Sequence, residues 1–258
     1  MCGRVCRPWD RTPETMISPF PGGGAGRAAP RVDVFIFWTA VPRDGDFGKL
    51  LSRLDENEQA RAARFHFNED RNAFIAAHGL LRDALDRIAG IRPWRFRQMP
   101  GGKPVLDGES GRAPHFSLSH TRSMVAAAVG WYGPLGVDVE TVTDGPRRED
   151  VAGLAFSAKE QASLSGLTGE AWNDAFFTLW TLKEAAVKAT GQGLSADLPG
   201  FAFALSPPRL CTPGPDGSDP AEWQFHACRV VNCRLAAALR AAGPKAAFHV
   251  SEIAFQAL

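Results

Sequence analysis

No sign of charge dominates this 258-residue chain: 29 Lys and Arg stand against 28 Asp and Glu, for a formal net charge of +1. That excludes a bulk polybasic field for nucleic acid or an anionic membrane, so any phosphate recognition rests on local placement. Cysteine is scarce and odd in number, with Cys2, Cys6, Cys211, Cys228 and Cys233 scattered along the chain. This argues against a disulfide framework and fits the reduced thiols of a cytoplasmic protein. His226, Cys228 and Cys233 lack a fourth partner at a familiar zinc spacing. Long apolar runs are missing as well. The stretch from Met124 to Val129 falls far below the roughly 18 apolar residues of a membrane span. Arg4, Arg7 and Asp10 have no apolar core behind them, so no secretory segment is predicted. The Gly-x-Ser-x-Gly elbow of a serine hydrolase is also absent.

What is present points to a mixed fold. An apolar fraction of 45% supplies core for one large domain or two small ones. Pro21 to Gly26 has linker composition, so residues 1–30 are predicted as a flexible tail. Val32 to Trp38 is an apolar run of strand type, and Asp46 to Arg64 is helical. Asn68 opens a longer helix, with Phe74, Ile75, Leu81, Leu85 and Ile88 at helical spacing. Phe116 and Leu118 alternate with Ser117 and Ser119 in a strand ending near His120, and Met124 to Trp131 is its return. After Gly193 four strands are predicted: Phe201–Leu205, Trp223–Val230, Leu235–Leu239 and Phe248–Ile253. A Pro- and Gly-rich loop from Pro207 to Pro220 separates the first two. Two successive α and β blocks, before and after about Gly133, predict two halves.

Two stretches carry chemistry. Trp180 to Lys188 has good helix formers and no Gly or Pro, and Gly191 and Gly193 follow as stop signals. Trp180, Glu184 and Lys188 are each four residues apart and share one helix face. Gly136-Val137-Asp138-Val139-Glu140 alternates as a strand, with both carboxylates on one face. With Glu184 they offer three oxygen donors, a set suited to Mg²⁺ shared with a substrate phosphate. Ser157 and Glu160 form a capping-box pattern, read as a helix N-cap only. Lys103 sits in Gly-Gly-Lys-Pro, presented from a turn.

In this order and at this spacing, Gly-Val-Asp-Val-Glu and Trp-Thr-x-Lys-Glu-Ala-x-x-Lys resemble the 4′-phosphopantetheinyl transferases, in the larger, surfactin-synthetase-activating form. The resemblance runs from about Leu54 to Ala204. It implies an α+β fold of two similar lobes related by a pseudo-twofold, each a small antiparallel sheet packed on a long helix. The lobes would be residues 31–133 and 134–258, with the active site in the cleft between them and one chain forming a complete site as a monomer. The implied reaction moves phosphopantetheine from coenzyme A to a serine of an apo carrier protein, releasing adenosine 3′,5′-bisphosphate. The nucleophile would lie on the partner. Asp138, Glu140 and Glu184 are the implied ligands of Mg²⁺ or Mn²⁺, and Glu184 is a metal ligand, general base or both. Lys188 would stabilise phosphate charge. Lys103, Ser119, His120, Arg64, Arg71, Lys183 and Lys188 are the implied coenzyme A contacts, with Lys103 and His120 at its 3′-phosphate and Lys183 near the phosphates or paired with Glu184. Arg61 reads as an exposed helix charge. A non-catalytic coenzyme A or carrier-binding module and a Mg²⁺-dependent phosphohydrolase are the alternatives.

Overall fold

The computed structural model describes residues 32–99, 102–107, 113–143 and 148–258. The expected tail, Cys2, Cys6 and Gly101 lie outside them. β1 (Val32–Ala40) is followed by two short helices, α1 (Gly48–Arg53) and α2 (Glu56–Ala62), and by the 22-residue α3 (Asn68–Ala89). A small hairpin, β2 (Phe96–Gln98) and β3 (Pro104–Leu106), leads to β4 (His115–His120), β5 (Met124–Gly130) and β6 (Leu135–Thr141). Helices α4 (Arg148–Ala155) and α5 (Ala158–Leu164) precede the second 22-residue helix, α6 (Gly169–Thr190). The chain ends with hairpin β7 (Phe203–Leu205) and β8 (Pro208–Leu210), then β9 (Trp223–Val230), β10 (Cys233–Arg240) and β11 (Ala246–Glu252).

Strand alternation stacks these elements into layers. On β5, Val125, Ala127 and Val129 face α3, and Met124, Ala126 and Ala128 face the second sheet. On β10, Leu235, Ala237 and Leu239 face the first sheet, and Ala236 and Ala238 face α6. The order is therefore α3, sheet β11-β1-β5-β4, sheet β6-β10-β9, α6. Strands covered on both faces read as continuous apolar runs, and alanines in β5 and β10 let the layers close. Ile75, Leu80, Leu81 and Leu85 of α3 are wholly buried, each worth about 1.5–3 kcal/mol relative to exposure.

The α+β class and one long helix per sheet match the sequence expectation. The sheet on α6 is antiparallel throughout, whereas the sheet on α3 is mixed. β11 lies parallel to β1, with Val34 opposite Phe248. A parallel neighbour needs a long crossover, and here everything from α1 to β10 lies between the two strands. The 207–220 loop likewise contains β8.

Candidate active site

On α6 the turn of 3.6 residues puts Trp180, Glu184 and Lys188 in one row, and all three line a cleft of about 580 Å³. The opposite wall comes from α3 and β4, including His78, Ser119 and His120. Gly191, in the left-handed region at φ 78°, ends α6 beside the cleft.

β6 supplies the carboxylates. Its outward set of Gly136, Asp138 and Glu140 faces α6, because Val137 and Val139 belong to the inter-sheet core. Asp138 is buried, and its Oδ1 accepts from Ser119 Oγ at 2.8 Å and from Lys188 Nζ at 2.6 Å. Lys188 also donates to Ser119 Oγ at 2.8 Å. Asp138 Oδ2 is buried with no hydrogen-bond partner, an exposed need for a cation or donor. Trp180 Nε1 donates to Glu140 Oε1 at 3.3 Å. Burial, and next the charge of Asp138, push Glu140 up to about 7 against the opposing pull of Trp180 and Lys188. Burial and Asp138 raise Glu184 too, with Lys188 opposing. Carboxylates so crowded either take a proton near neutrality or attract a cation. Among the described residues no three His, Cys, Asp or Glu side chains converge closely enough to hold a metal. The orphaned Asp138 oxygen and the hard-oxygen character of the set nevertheless fit a Mg²⁺-type ion.

Several sequence expectations change here. Lys183 does not face the cleft or Glu184. One residue before Glu184, it is rotated about 100° round the helix and is wholly buried. Its Nζ donates to Leu198 O at 2.7 Å and Phe201 O at 2.5 Å, and pairs with Glu160 Oε2 at 2.9 Å. Glu160 is thus more than an N-cap: its Oε2 accepts from Ser157 N, and its Oε1 from Phe203 N at 2.8 Å. This hub ties α5, α6 and the segment before β7 together. Lys183→Met is expected to destabilise by about 3–5 kcal/mol, because it strands a buried carboxylate. Adding Glu160→Gln should recover part of that loss in denaturant titrations. A loss below about 1 kcal/mol, the scale of exposed pairs, would mean that Glu160 finds water.

Lys103 lines the cleft, but its ammonium is committed elsewhere. It donates to Lys188 O at 2.6 Å, Ala189 O at 2.9 Å and Leu135 O at 3.2 Å, capping the open carbonyls of α6. All three N–H donors are thereby used, and burial holds its pKa down at about 8. Arg64 is exposed and outside the cleft, and Arg71 lines a separate depression with Arg43 and Asp46. Conversely Arg61, expected as a plain surface charge, lines the cleft with its guanidinium 5.1 Å from the Phe74 ring centre. His78, which no motif singled out, lines it also. His120 does line the cleft, its imidazole lowered first by desolvation and then by Lys188.

Behind His78 stands Glu58, bound to Arg82 Nη2 at 2.5 Å and to His78 Nδ1 at 2.6 Å. Burial alone would raise this carboxyl, but hydrogen bonds from His78 and Arg82 outweigh it and hold it at about 2 rather than 4.5. A depressed acid stabilises the fold fully above its unfolded pKa, and that contribution is lost as pH falls through the folded one. Stability on the order of 3 kcal/mol should therefore disappear between pH about 4.5 and about 2. Glu58→Gln should lack that part of the acid slope in denaturant midpoints measured against pH. Parallel curves for the two proteins would contradict it.

The model of the 4′-phosphopantetheinyl transferase superfamily matches residues 134–236, and that for the 4′-phosphopantetheinyl transferase N-terminal region matches residues 38–130. 4′-Phosphopantetheinyl transferase HetI of Nostoc sp. is 37% identical over 163 residues, covering 61% of this chain and 68% of that protein. 4′-Phosphopantetheinyl transferase Sfp of Bacillus subtilis is 27% identical, covering 61% and 69%. L-aminoadipate-semialdehyde dehydrogenase-phosphopantetheinyl transferase of Pongo abelii is 27% identical, covering 74% and 68%.

Proposed function

The chain belongs to the 4′-phosphopantetheinyl transferase superfamily, and from that premise we propose that it transfers 4′-phosphopantetheine from coenzyme A to a serine of an apo carrier protein. The observation that supports this most is the row of Glu184 and Lys188 on α6 facing Ser119 in one cleft, with Lys188 bonded to both Ser119 and the buried Asp138. The acceptor serine Oγ bonds to the phosphorus that carries pantetheine. The phosphorus–oxygen bond to the nucleotide side breaks, and adenosine 3′,5′-bisphosphate leaves with the electron pair. Glu184, its pKa raised by burial and by the charge of Asp138, takes the serine proton as general base. Lys188 places positive charge where the pyrophosphate oxygens gain negative charge. Ser119 holds Lys188 and Asp138 in register, and Trp180 fixes Glu140. Asp138, Glu140 and Glu184 would be the oxygen donors for Mg²⁺ or Mn²⁺, which would supply charge neutralisation of the pyrophosphate.

We assign the halves around Gly133 to two lobes flanking the cleft, with β11 counted in the first because it pairs with β1. A single chain then carries a whole site and acts as a monomer in the cytoplasm. Among the described residues no helix is long and apolar enough to cross a membrane.

The test is incubation with coenzyme A, Mg²⁺ and a panel of apo carrier proteins, read by intact mass. The expected result is a phosphopantetheine mass increase on a carrier, abolished by excess chelator and restored by Mg²⁺. Cleavage of coenzyme A with no carrier modification would make the protein a hydrolase. Binding without either product would leave a non-catalytic module, and full turnover in chelator would remove the metal.

A further inference from the structure

A row of charges crosses the second sheet on the face that α6 covers, and the sheet alone would pair them differently. Arg234 of β10 lies directly opposite Glu140 of β6 on one side and Arg229 of β9 on the other. Strand alternation puts it on the α6 face with Ala236 and Ala238, the face that Glu140 shares with Asp138. Opposed residues of an antiparallel pair have Cβ atoms about 4.5–5.5 Å apart, and opposite charges at that range attract. Helix α6 draws the arginine away instead. Arg234 Nε donates to Asp174 Oδ1 at 2.8 Å, and its Nη2 pairs with the same oxygen. One turn earlier on α6, Glu170 takes Arg229 at 3.2 Å. Glu140 is left with Trp180 Nε1 as its donor at 3.3 Å. After burial, the charges acting on its acidity are those of Asp138, Lys188 and Glu184. The charge of Arg234 is felt on the side away from β6: burial pushes the Cys228 thiol of β9 up, and Arg234 opposes it. Arg234 is mostly buried and Asp174 more open to solvent. A guanidinium so placed needs a partner, and without Asp174 the carboxylate opposite is Glu140.

We infer that Asp174 is a positioning residue for the divalent cation: by holding Arg234, it keeps Glu140 available as an oxygen donor. The inference rests on the transferase reading and its metal. Asp174 itself does not line the cleft. A guanidinium against Glu140 would compete for the same oxygens and add positive charge beside the place of a dication. Lys188 already pairs with Asp138, so a second protein cation would neutralise two of the three donors.

The test is a titration of Mn²⁺ into the intact protein with coenzyme A present and carrier absent. Bound metal is read from the EPR signal of the free ion against a coenzyme A blank. Asp174→Asn keeps the shape and an acceptor oxygen but removes the charge. It should weaken Mn²⁺ binding about tenfold or more, the scale of one protein charge beside a carboxylate. Asp174→Asn/Arg234→Gln should return to within about twofold of native, because the competing cation is gone. A contact of purely structural worth would not be rescued by a second deletion. Asp174→Glu, which keeps the charge, should bind as the native protein does. If Asp174→Asn does not fold, the comparison moves to the double variants. Asp174→Asn/Arg234→Lys should then bind Mn²⁺ about tenfold more weakly than Asp174→Asn/Arg234→Gln. Native affinity in Asp174→Asn, no recovery in Asp174→Asn/Arg234→Gln, or equal affinity in the two double variants overturns the inference. Native protein that takes up no Mn²⁺ beside coenzyme A would instead strike the metal from the proposed reaction, and this inference with it.

Discussion

Asp138→Asn is expected to lower kcat by about 10²–10³-fold, the usual cost of removing one preorganised electrostatic group. The substitution keeps the shape of the side chain and removes its charge. Asp138 ties the two walls of the cluster together: its Oδ1 holds Ser119 of β4 and Lys188 of α6, and its Oδ2 is buried and unpaired. Its charge also raises both Glu140 and Glu184. Without it the two glutamates fall toward ordinary values, and Glu184 becomes a weaker base. Lys188 loses its charge partner but keeps Ser119 and is only half-buried, so water can take over and the fold should survive. The expected signature is therefore a collapse of turnover, with a thermal midpoint near the native one and coenzyme A binding largely kept. Turnover within about tenfold of native would show that Asp138 merely pairs a lysine, because an electrostatic role in the transition state is worth more than that.

Local periodicity made part of this site readable in the sequence. The row Trp180, Glu184 and Lys188 follows from helix geometry alone, and the shared face of Asp138 and Glu140 from strand alternation. The Ser157–Glu160 capping box is a three-residue relation and is present in full. What was not legible depends on partners far away in the chain. Lys183 and Glu184 are neighbours with opposite fates, because only the fold brings Glu160 and the Leu198–Phe201 carbonyls to one side of α6. Lys103 sits on a turn that sequence would give to solvent or ligand, yet the end of α6 lies close enough to take its ammonium. Arg61 and His78 belong to helices where exposed polar residues are ordinary, and only the packing of α2 on α3 and of α3 on β4 and β5 turns them into the cleft. The parallel β1–β11 pair joins residues more than two hundred positions apart, such as Asp33 and Ala247, and alternation carries no signal for that.

Gly136 is the second residue of the carboxylate strand, and its substitution is expected to cost both stability and turnover. It sits on the β6 face that meets α6, opposite Ala238 of β10. A Cβ built there would lie 1.9 Å from Ala185 O, 2.7 Å from Ala189 N and 2.9 Å from Ala185 C. These are backbone atoms of a helix and cannot rotate aside. To restore the roughly 3.3 Å of close C···O contact, α6 would have to retreat by about 1.4 Å. That retreat would open the core between α6 and β10 and carry Glu184 and Lys188 away from Asp138, whose bond to Lys188 is now 2.6 Å. Overpacking of a closed core costs about 1–3 kcal/mol where neighbours can yield and more where they cannot. Gly136→Ala should therefore lose at least about 3 kcal/mol in denaturant titrations, at or beyond the top of that range. Any folded fraction should turn over about 100-fold more slowly, the penalty for displacing reacting groups by an ångström. The cleft residues of α3 and β4 do not move with α6, so ligand binding in that fraction should fall much less than kcat. A Gly136→Ala protein with native midpoint and native turnover would mean that α6 does not approach β6 this closely.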